Sequence, residues 1–362
     1  MQLQAPIVER EHFNNFNALR LFLAVLVIVS HAFPLSYGGE EREPLIRMTA
    51  GQDSLGGMAV SFFFLISGML ITASWLRSKS MQSYLFKRVL RIYPGFLVAS
   101  AVSNLIALGF NPAFRHTVLT RAWVYGFLHD LVFLGSWNML QPTAFAANPS
   151  PGINGSLWTI SIEFGCYLLV AALGLFCLFK RRYLILVFAL GVWLFYVGKI
   201  FLGREAWRAD SRFLACFLIG MLCWLFRDRI VRVLSLPAGF ACVAVLVLTA
   251  RFSPFWEVVF PVVGGYLILW IGTGRRWRFA RWTEKTDLSY GIYLYAFPVQ
   301  QVIASFPSLR HAGLNFVIAL PVTAGLAWLS WHFVERPFLQ MKNVAMTDFD
   351  PGAVAVGHEA PV

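Results

Sequence analysis

Residues 18–35 read ALRLFLAVLVIVSHAFPL, an apolar stretch carrying only two ionisable side chains, Arg20 and His31. A helix needs about 20 such residues to cross the roughly 30 Å hydrocarbon core of a bilayer, so this stretch is expected to span it. Moving outward from it, comparable runs occupy 55–76, 92–110, 156–179, 183–202, 213–226, 235–250, 255–273, 288–306 and 314–334. The fold class expected is therefore an all-α, polytopic membrane bundle of about ten transmembrane helices. Composition agrees: 58% of the 362 residues are hydrophobic, 16% aromatic and only 13% charged. Soluble domains carry roughly 25% charged residues, so a water-facing globular enzyme is excluded.

The formal net charge is +12. In a soluble chain that would suggest nucleic acid as a partner, but in a membrane chain the positive-inside bias accounts for it and no nucleic acid is expected. The basic segments 77–91, 180–182, 227–232 and 275–285 are expected to share the cytoplasmic side, with the acidic 36–54 loop and the nearly uncharged 138–155 loop opposite. Both ends of 111–155 are then external. The weaker apolar run 119–137, interrupted by Arg121, His129 and Asp130, is accordingly assigned as an interfacial or re-entrant helix. This topology places most of the 30 Lys and Arg inside, with both termini cytoplasmic.

Three regions follow: a cytoplasmic N-terminal segment 1–17, a membrane-embedded domain 18–340, and a cytoplasmic tail 341–362 expected to be disordered. The first run lacks a cleavage pattern and reads as a retained signal anchor. The five cysteines, Cys166, Cys177, Cys216, Cys223 and Cys242, lie in apolar runs without metal-ligand spacing, so they read as packing residues and no metal is expected. There is no GxSxG elbow, P-loop, HExxH or dinucleotide fingerprint.

Ionisable groups inside a spanning helix are costly, and each asks for a partner or a task. Arg20 and His31 are 11 residues apart, which brings them to within about 20° of the same helix face and separates them by about 16 Å along the axis. A neutral imidazole there can accept a proton from a hydroxyl, as a general base for acyl transfer must, or it can hydrogen-bond a neighbouring helix and set packing. Arg88 and Arg91, at i and i+3, project from one side of a helix at the cytoplasmic surface. Their guanidinium forks suit the phosphates of a nucleotide-bearing donor such as an acyl-coenzyme A, or they are topology-determining charge.

Glu163 lies two turns into an apolar helix and is expected either to pair with an intramembrane Arg or to face a polar substrate cavity. Trp158, near the outer interface, is either part of an aromatic belt or a platform for a sugar face. Glu335, in His332-Phe333-Val334-Glu335-Arg336-Pro337, could steady the Arg88/Arg91 pair or an imidazole, while Arg336 suits a headgroup anchor. Ser67-Gly68 allows close helix approach.

The chain resembles the acyltransferase-3 family of integral membrane proteins, which includes bacterial O-acetyltransferases of lipopolysaccharide O-antigen, exopolysaccharide and nodulation factors. The resemblance rests on Arg20 with His31, Phe62-Phe63-Phe64-Leu65-Ile66-Ser67-Gly68, Arg88-Val89-Leu90-Arg91-Ile92-Tyr93-Pro94, Gly155-Ser156-Leu157-Trp158-Thr159-Ile160-Ser161-Ile162-Glu163, Asp287-Leu288-Ser289-Tyr290-Gly291-Ile292-Tyr293-Leu294-Tyr295 and Val334-Glu335-Arg336-Pro337, in the family's order. It implies a ten-span fold and a bacterial inner-membrane location. It also implies catalytic roles for His31 and Glu335 and substrate-binding roles for Arg20, Arg88, Arg91, Trp158 and Glu163.

The function expected is an O-acyltransferase, acetyl being the first choice, that moves an acyl group from cytoplasmic acyl-coenzyme A to a hydroxyl of a cell-surface or lipid-linked glycan. No cofactor is expected to be permanently bound, acetyl-coenzyme A or another acyl-coenzyme A being the donor substrate, and membrane lipid surrounds the chain. Two positions depart from the family's pattern: Ser61 stands where many members carry Asp, and Ala296 where many carry His. A transporter or flippase of a lipid-linked saccharide is the alternative from another class, and a non-catalytic scaffold the third.

Overall fold

The computed structural model describes residues 15–111, 114–118, 120–136, 145–204, 206–274, 283 and 286–341. The N-terminal segment to 14, most of the 275–285 basic loop, part of the 138–155 loop and the tail beyond 341 lie outside them. The described residues are all-α, with no strand among them. In chain order the helices are α1 (Phe16–Tyr37), α2 (Pro44–Met48), α3 (Leu55–Leu76), α4 (Met81–Phe110), α5 (Phe114–Val118), α6 (Arg121–Phe133) and α7 (Trp158–Leu175). There follow α8 (Arg182–Phe201), α9 (Arg208–Leu225), α10 (Arg227–Ile230), α11 (Leu236–Thr249), α12 (Phe255–Gly272), α13 (Ser289–Ala304) and α14 (Ala312–Ser330), the last continuing into a π-helical turn, Trp331–Glu335.

Every expected span coincides with a helix. By length and composition, seven helices among the described residues are long and apolar enough to cross a membrane, or eight if the Arg227–Val233 and Leu236–Thr249 pair, bent by 93°, is one span. The expected count of ten is thus not reached on that measure. The shortfall has physical causes: α9 starts five residues before the expected 213 and takes in Arg208, Asp210 and Arg212, while α11 and α13 run for only 14 and 16 residues. The run expected to be interfacial contains α6, whose 13 residues extend about 20 Å, short of a full crossing.

The bundle is closed by small residues at its centre. A Cβ on Gly68 of α3 would lie 2.0 Å from the carbonyl oxygen of Phe217, and one on Gly220 of α9 would lie 2.0 Å from that of Leu65. Glycine at both positions lets the α3 and α9 backbones touch, the close approach that Ser67-Gly68 suggests. Arg20 of α1 meets Asp287 just before α13, and the Ile28 carbonyl accepts from Gln300 Nε2 further along both, so α1 and α13 run in the same direction. Outer faces of α8 and α11 expose Phe188, Leu190, Leu194, Phe240 and Val247. Such an apolar exterior is what a lipid solvent requires.

Candidate functional site

At one end of the bundle α1, α3, α4, α7 and the helical residues 336–341 that follow the π-helical turn line a cavity of about 430 Å³, with Arg20, Ser67, Ser74, Lys87, Arg88, Arg91, Glu163, Tyr167 and Leu339 among its walls. Arg20, Ser67 and Glu163 also line a second cavity, of about 40 Å³, which continues between Phe63, Thr159, Tyr290 and Tyr293. That volume holds a water or two.

The two arginines of the Arg88/Arg91 pair have different environments. Arg91 donates through Nη2 to Asp287 Oδ2 at 2.5 Å, and Arg20 donates through Nη1 to the same oxygen at 2.8 Å. Asp287 Oδ1 accepts from the Ser289 hydroxyl at 2.5 Å. Burial alone would push the Asp287 carboxyl up, but the Arg20 and Arg91 guanidiniums outweigh it and hold the group well below the usual carboxylate range. Asp287 is therefore a carboxylate across the physiological range. Arg91 also lies 5.5 Å from the Tyr290 ring centroid.

Arg88 instead sits between the rings of Tyr84 and Tyr167, each centroid 5.7 Å from its guanidinium carbon, and donates to Ser74 Oγ at 3.2 Å. Among the described residues it has no carboxylate within ion-pair distance, and its buried Nε lacks a hydrogen-bond partner. The tyrosine faces hold the cation by cation–π attraction without neutralising it.

Glu163 faces the cavity, as one of its two readings anticipates. Its Oε1 accepts from Ser67 Oγ at 2.8 Å and from Tyr167 Oη at 2.7 Å. Ser67 therefore does more than permit helix contact.

Glu335 is buried in the π-helical turn, where its Oε1 accepts from Ser330 Oγ at 3.0 Å and its Oε2 has no partner among the described residues. It packs beside Gly291, within electrostatic reach of Arg91 and Arg20. Trp158 opens α7, half-buried, and packs on Phe213, which stacks on Phe64 of the small cavity's wall.

His31 lies toward the other end of α1. Its ring is half-buried and meets Phe297 of α13 edge to face, with centroids 5.3 Å apart, so it points into the bundle. Its Nδ1 is buried without a hydrogen-bond partner among the described residues. His31 lines neither cavity. Tyr293, at the far end of the smaller one, is hydrogen-bonded to Thr159 Oγ1 at 2.6 Å and precedes Phe297 by one turn of α13. Glu335 contacts α13 at Gly291, six residues and about 9 Å before Phe297, and so belongs to the arginine end.

The two departures are both occupied by packing. Ser61 is buried and donates to the Gly57 carbonyl at 2.9 Å, while Ala296 is buried among Ala24, Ile28 and Ile292. Sequence reasoning quoted Thr159, Asp287, Tyr290 and Tyr293 only as parts of motifs and gave them no role, and it did not mention Tyr167 or Ser74. Asp287 had one available signal, as the lone carboxylate between a basic loop and an apolar run.

Comparison with known proteins places these residues in a wider group. The model of a family described as an acyltransferase domain matches residues 13–332. An O-acetyl transferase of Shigella phage Sf6 is 30% identical over 356 residues, covering 90% of this chain and 96% of that one. Nodulation protein 10 of Rhizobium leguminosarum bv. viciae is 28% identical, covering 92% and 95% of the two chains. An acyltransferase of Streptomyces mycarofaciens is 29% identical over 157 residues, covering 42% and 37%. No solved structure matches the chain with significance.

Proposed function

The chain belongs to the acyltransferase-3 family and is a multi-pass membrane enzyme of the O-acetyltransferase type; from that premise we propose that it transfers an acyl group from cytoplasmic acyl-coenzyme A to a hydroxyl of a cell-surface or lipid-linked glycan. The observation that carries this reading is the polar cavity in which Arg88 keeps an uncommitted positive charge and from which a narrower cavity extends toward the His31 end.

In this reading the arginine end faces the cytoplasm of a bacterial inner membrane, with both termini on that side. Arg88 and the adjacent Lys87 receive the coenzyme phosphates. Arg91, already bound to Asp287, lends field more than a free fork. Arg20 and Glu163 line the passage along which the thioester arm extends. Trp158, packed on Phe213, braces the passage wall, and Glu335 supports the Arg20–Asp287–Arg91 triad from below.

His31 is the general base. It takes the proton of the acceptor hydroxyl as that oxygen attacks the thioester carbonyl. The carbon–sulfur bond breaks and the coenzyme leaves as a thiol carrying the proton returned by the imidazolium. For the base to reach the thioester, the layer formed by Tyr293, Thr159 and Phe297 has to move aside, a rearrangement of about one helical turn's depth.

The test is acyl transfer by the purified protein in lipid nanodiscs, with labelled acetyl-coenzyme A and candidate glycans. His31→Ala is expected to lower the rate by about 10²- to 10⁴-fold, the usual contribution of a general base, while leaving donor binding intact. Near-normal transfer by that variant overturns the role of His31. Movement of the saccharide without covalent label would favour a transporter.

A further inference from the structure

On the flank away from the polar cavity, α8 and α12 both pack on α9 but stand apart from each other, leaving a cleft of about 620 Å³ open to the surroundings. Its floor is apolar, formed by Ile219, Leu222 and Cys223 of α9. One end is shut, because Trp193 of α8 donates its Nε1–H to the Val258 carbonyl of α12 at 3.2 Å. From Trp193 back to Tyr183 at the open end is ten residues, about 15 Å of helix. That is half the roughly 30 Å hydrocarbon thickness of a bilayer, or one leaflet.

The open end is cationic. The Arg182 guanidinium carbon lies 5.1 Å from the ring centroid of Phe226 and 5.7 Å from that of Tyr183, and both rings line the cleft. Arg229 also lines it, and its side chain makes no hydrogen bond or ion pair among the described residues. The neighbouring carboxylate, Asp228, pairs with Arg227 at 3.8 Å and leaves Arg229 unneutralised.

We propose that this cleft binds an anionic glycerophospholipid from the leaflet on the side of the basic loops, one acyl chain lying on α9 between α8 and α12 and the phosphate resting between Arg182 and Arg229. An additional transmembrane helix is a poorer occupant, since the Trp193–Val258 bridge closes the cleft halfway across the membrane. A zwitterionic lipid would supply the chain without the net charge that the two guanidiniums attract.

The full-length protein in detergent, titrated with phosphatidylglycerol or with phosphatidylcholine of the same chain length and followed by native mass spectrometry, tests this. Phosphatidylglycerol is expected to bind more tightly. Arg182→Gln and Arg229→Gln are each expected to weaken it about fivefold, the effect of one surface charge on an anionic lipid, and to leave phosphatidylcholine nearly unchanged. Leu186→Trp fills the cleft from a position already 41% exposed, and is expected to weaken both lipids. Leu190→Trp, at 51% exposure, is a second blocking variant should the first fold poorly.

Equal affinity for the two lipids overturns the headgroup site. Undiminished binding in both folded tryptophan variants overturns the chain site. Neither measurement depends on acyl transfer, so this assignment and the proposed reaction can fail separately.

Discussion

Two clusters of arginine and carboxylate lie within the bundle, and they serve different ends. In one, Arg20 and Arg91 share Asp287 at the wall of a 430 Å³ cavity, with Arg88 nearby and in no ion pair among the described residues. In the other, Arg212 binds Asp53 through two hydrogen bonds and Arg208 binds Glu257, joining the segment before α3 to α9 and α12. There the Trp256 indole donates to Asp53, and Tyr196 Oη donates to Glu257. Those charges are matched one to one, whereas in the first cluster Arg88 has no carboxylate within ion-pair distance among the described residues. Intramembrane charge is therefore a poor marker of chemistry by itself; what distinguishes the two clusters is an unneutralised group facing open space.

Substitutions can break that contrast. The largest effect is expected from Asp287→Asn, which strands two partly buried guanidiniums and should cost about 3 kcal/mol of stability, the lower end of the range for a broken buried pair, read by thermal unfolding in detergent. A variant that unfolds like the parent would show that Arg20 and Arg91 find other partners.

Arg88→Ala comes next. Loss of a charged hydrogen-bonding partner is worth about 1.5–3 kcal/mol, so the apparent KM for acyl-coenzyme A should rise about 10- to 100-fold with little change in unfolding temperature. A KM within twofold of the parent's would remove Arg88 from the donor site. The smallest effect is expected from Asp53→Leu combined with Arg212→Met, which exchanges a buried ion pair for apolar side chains. Stability should change by no more than about 1 kcal/mol and the donor KM not at all. Were the KM to shift as far as in Arg88→Ala, the two clusters would not be functionally distinct.

Much of this was legible in the sequence because lipid imposes a simple rule: apolar runs of spanning length become helices, and each expected span is one. The shared face of Arg20 and His31 follows from helical geometry, and both side chains do point toward α13. Glu163 beside a polar cavity was one of two readings that position alone allows.

Pairings between distant segments were not legible. Asp287 joins residues 267 and 196 positions away, and Asp53 joins one 159 away; a local window can flag Asp287 as a carboxylate beside an apolar run but names neither residue's partner. The extended start of α9 was hidden for the same reason. Arg208 and Arg212 read as the end of a loop until Glu257 and Asp53 neutralise them. The inequality of Arg88 and Arg91 likewise depends on a partner supplied from α13's approach.

The constriction walled by Phe63, Thr159 and Tyr293 has a consequence for the cell as a whole. A cavity that holds only a water or two leaves no wide aqueous route at that level of the bundle. A membrane protein built in this way does not dissipate the ion gradients stored across its bilayer through this part of the bundle.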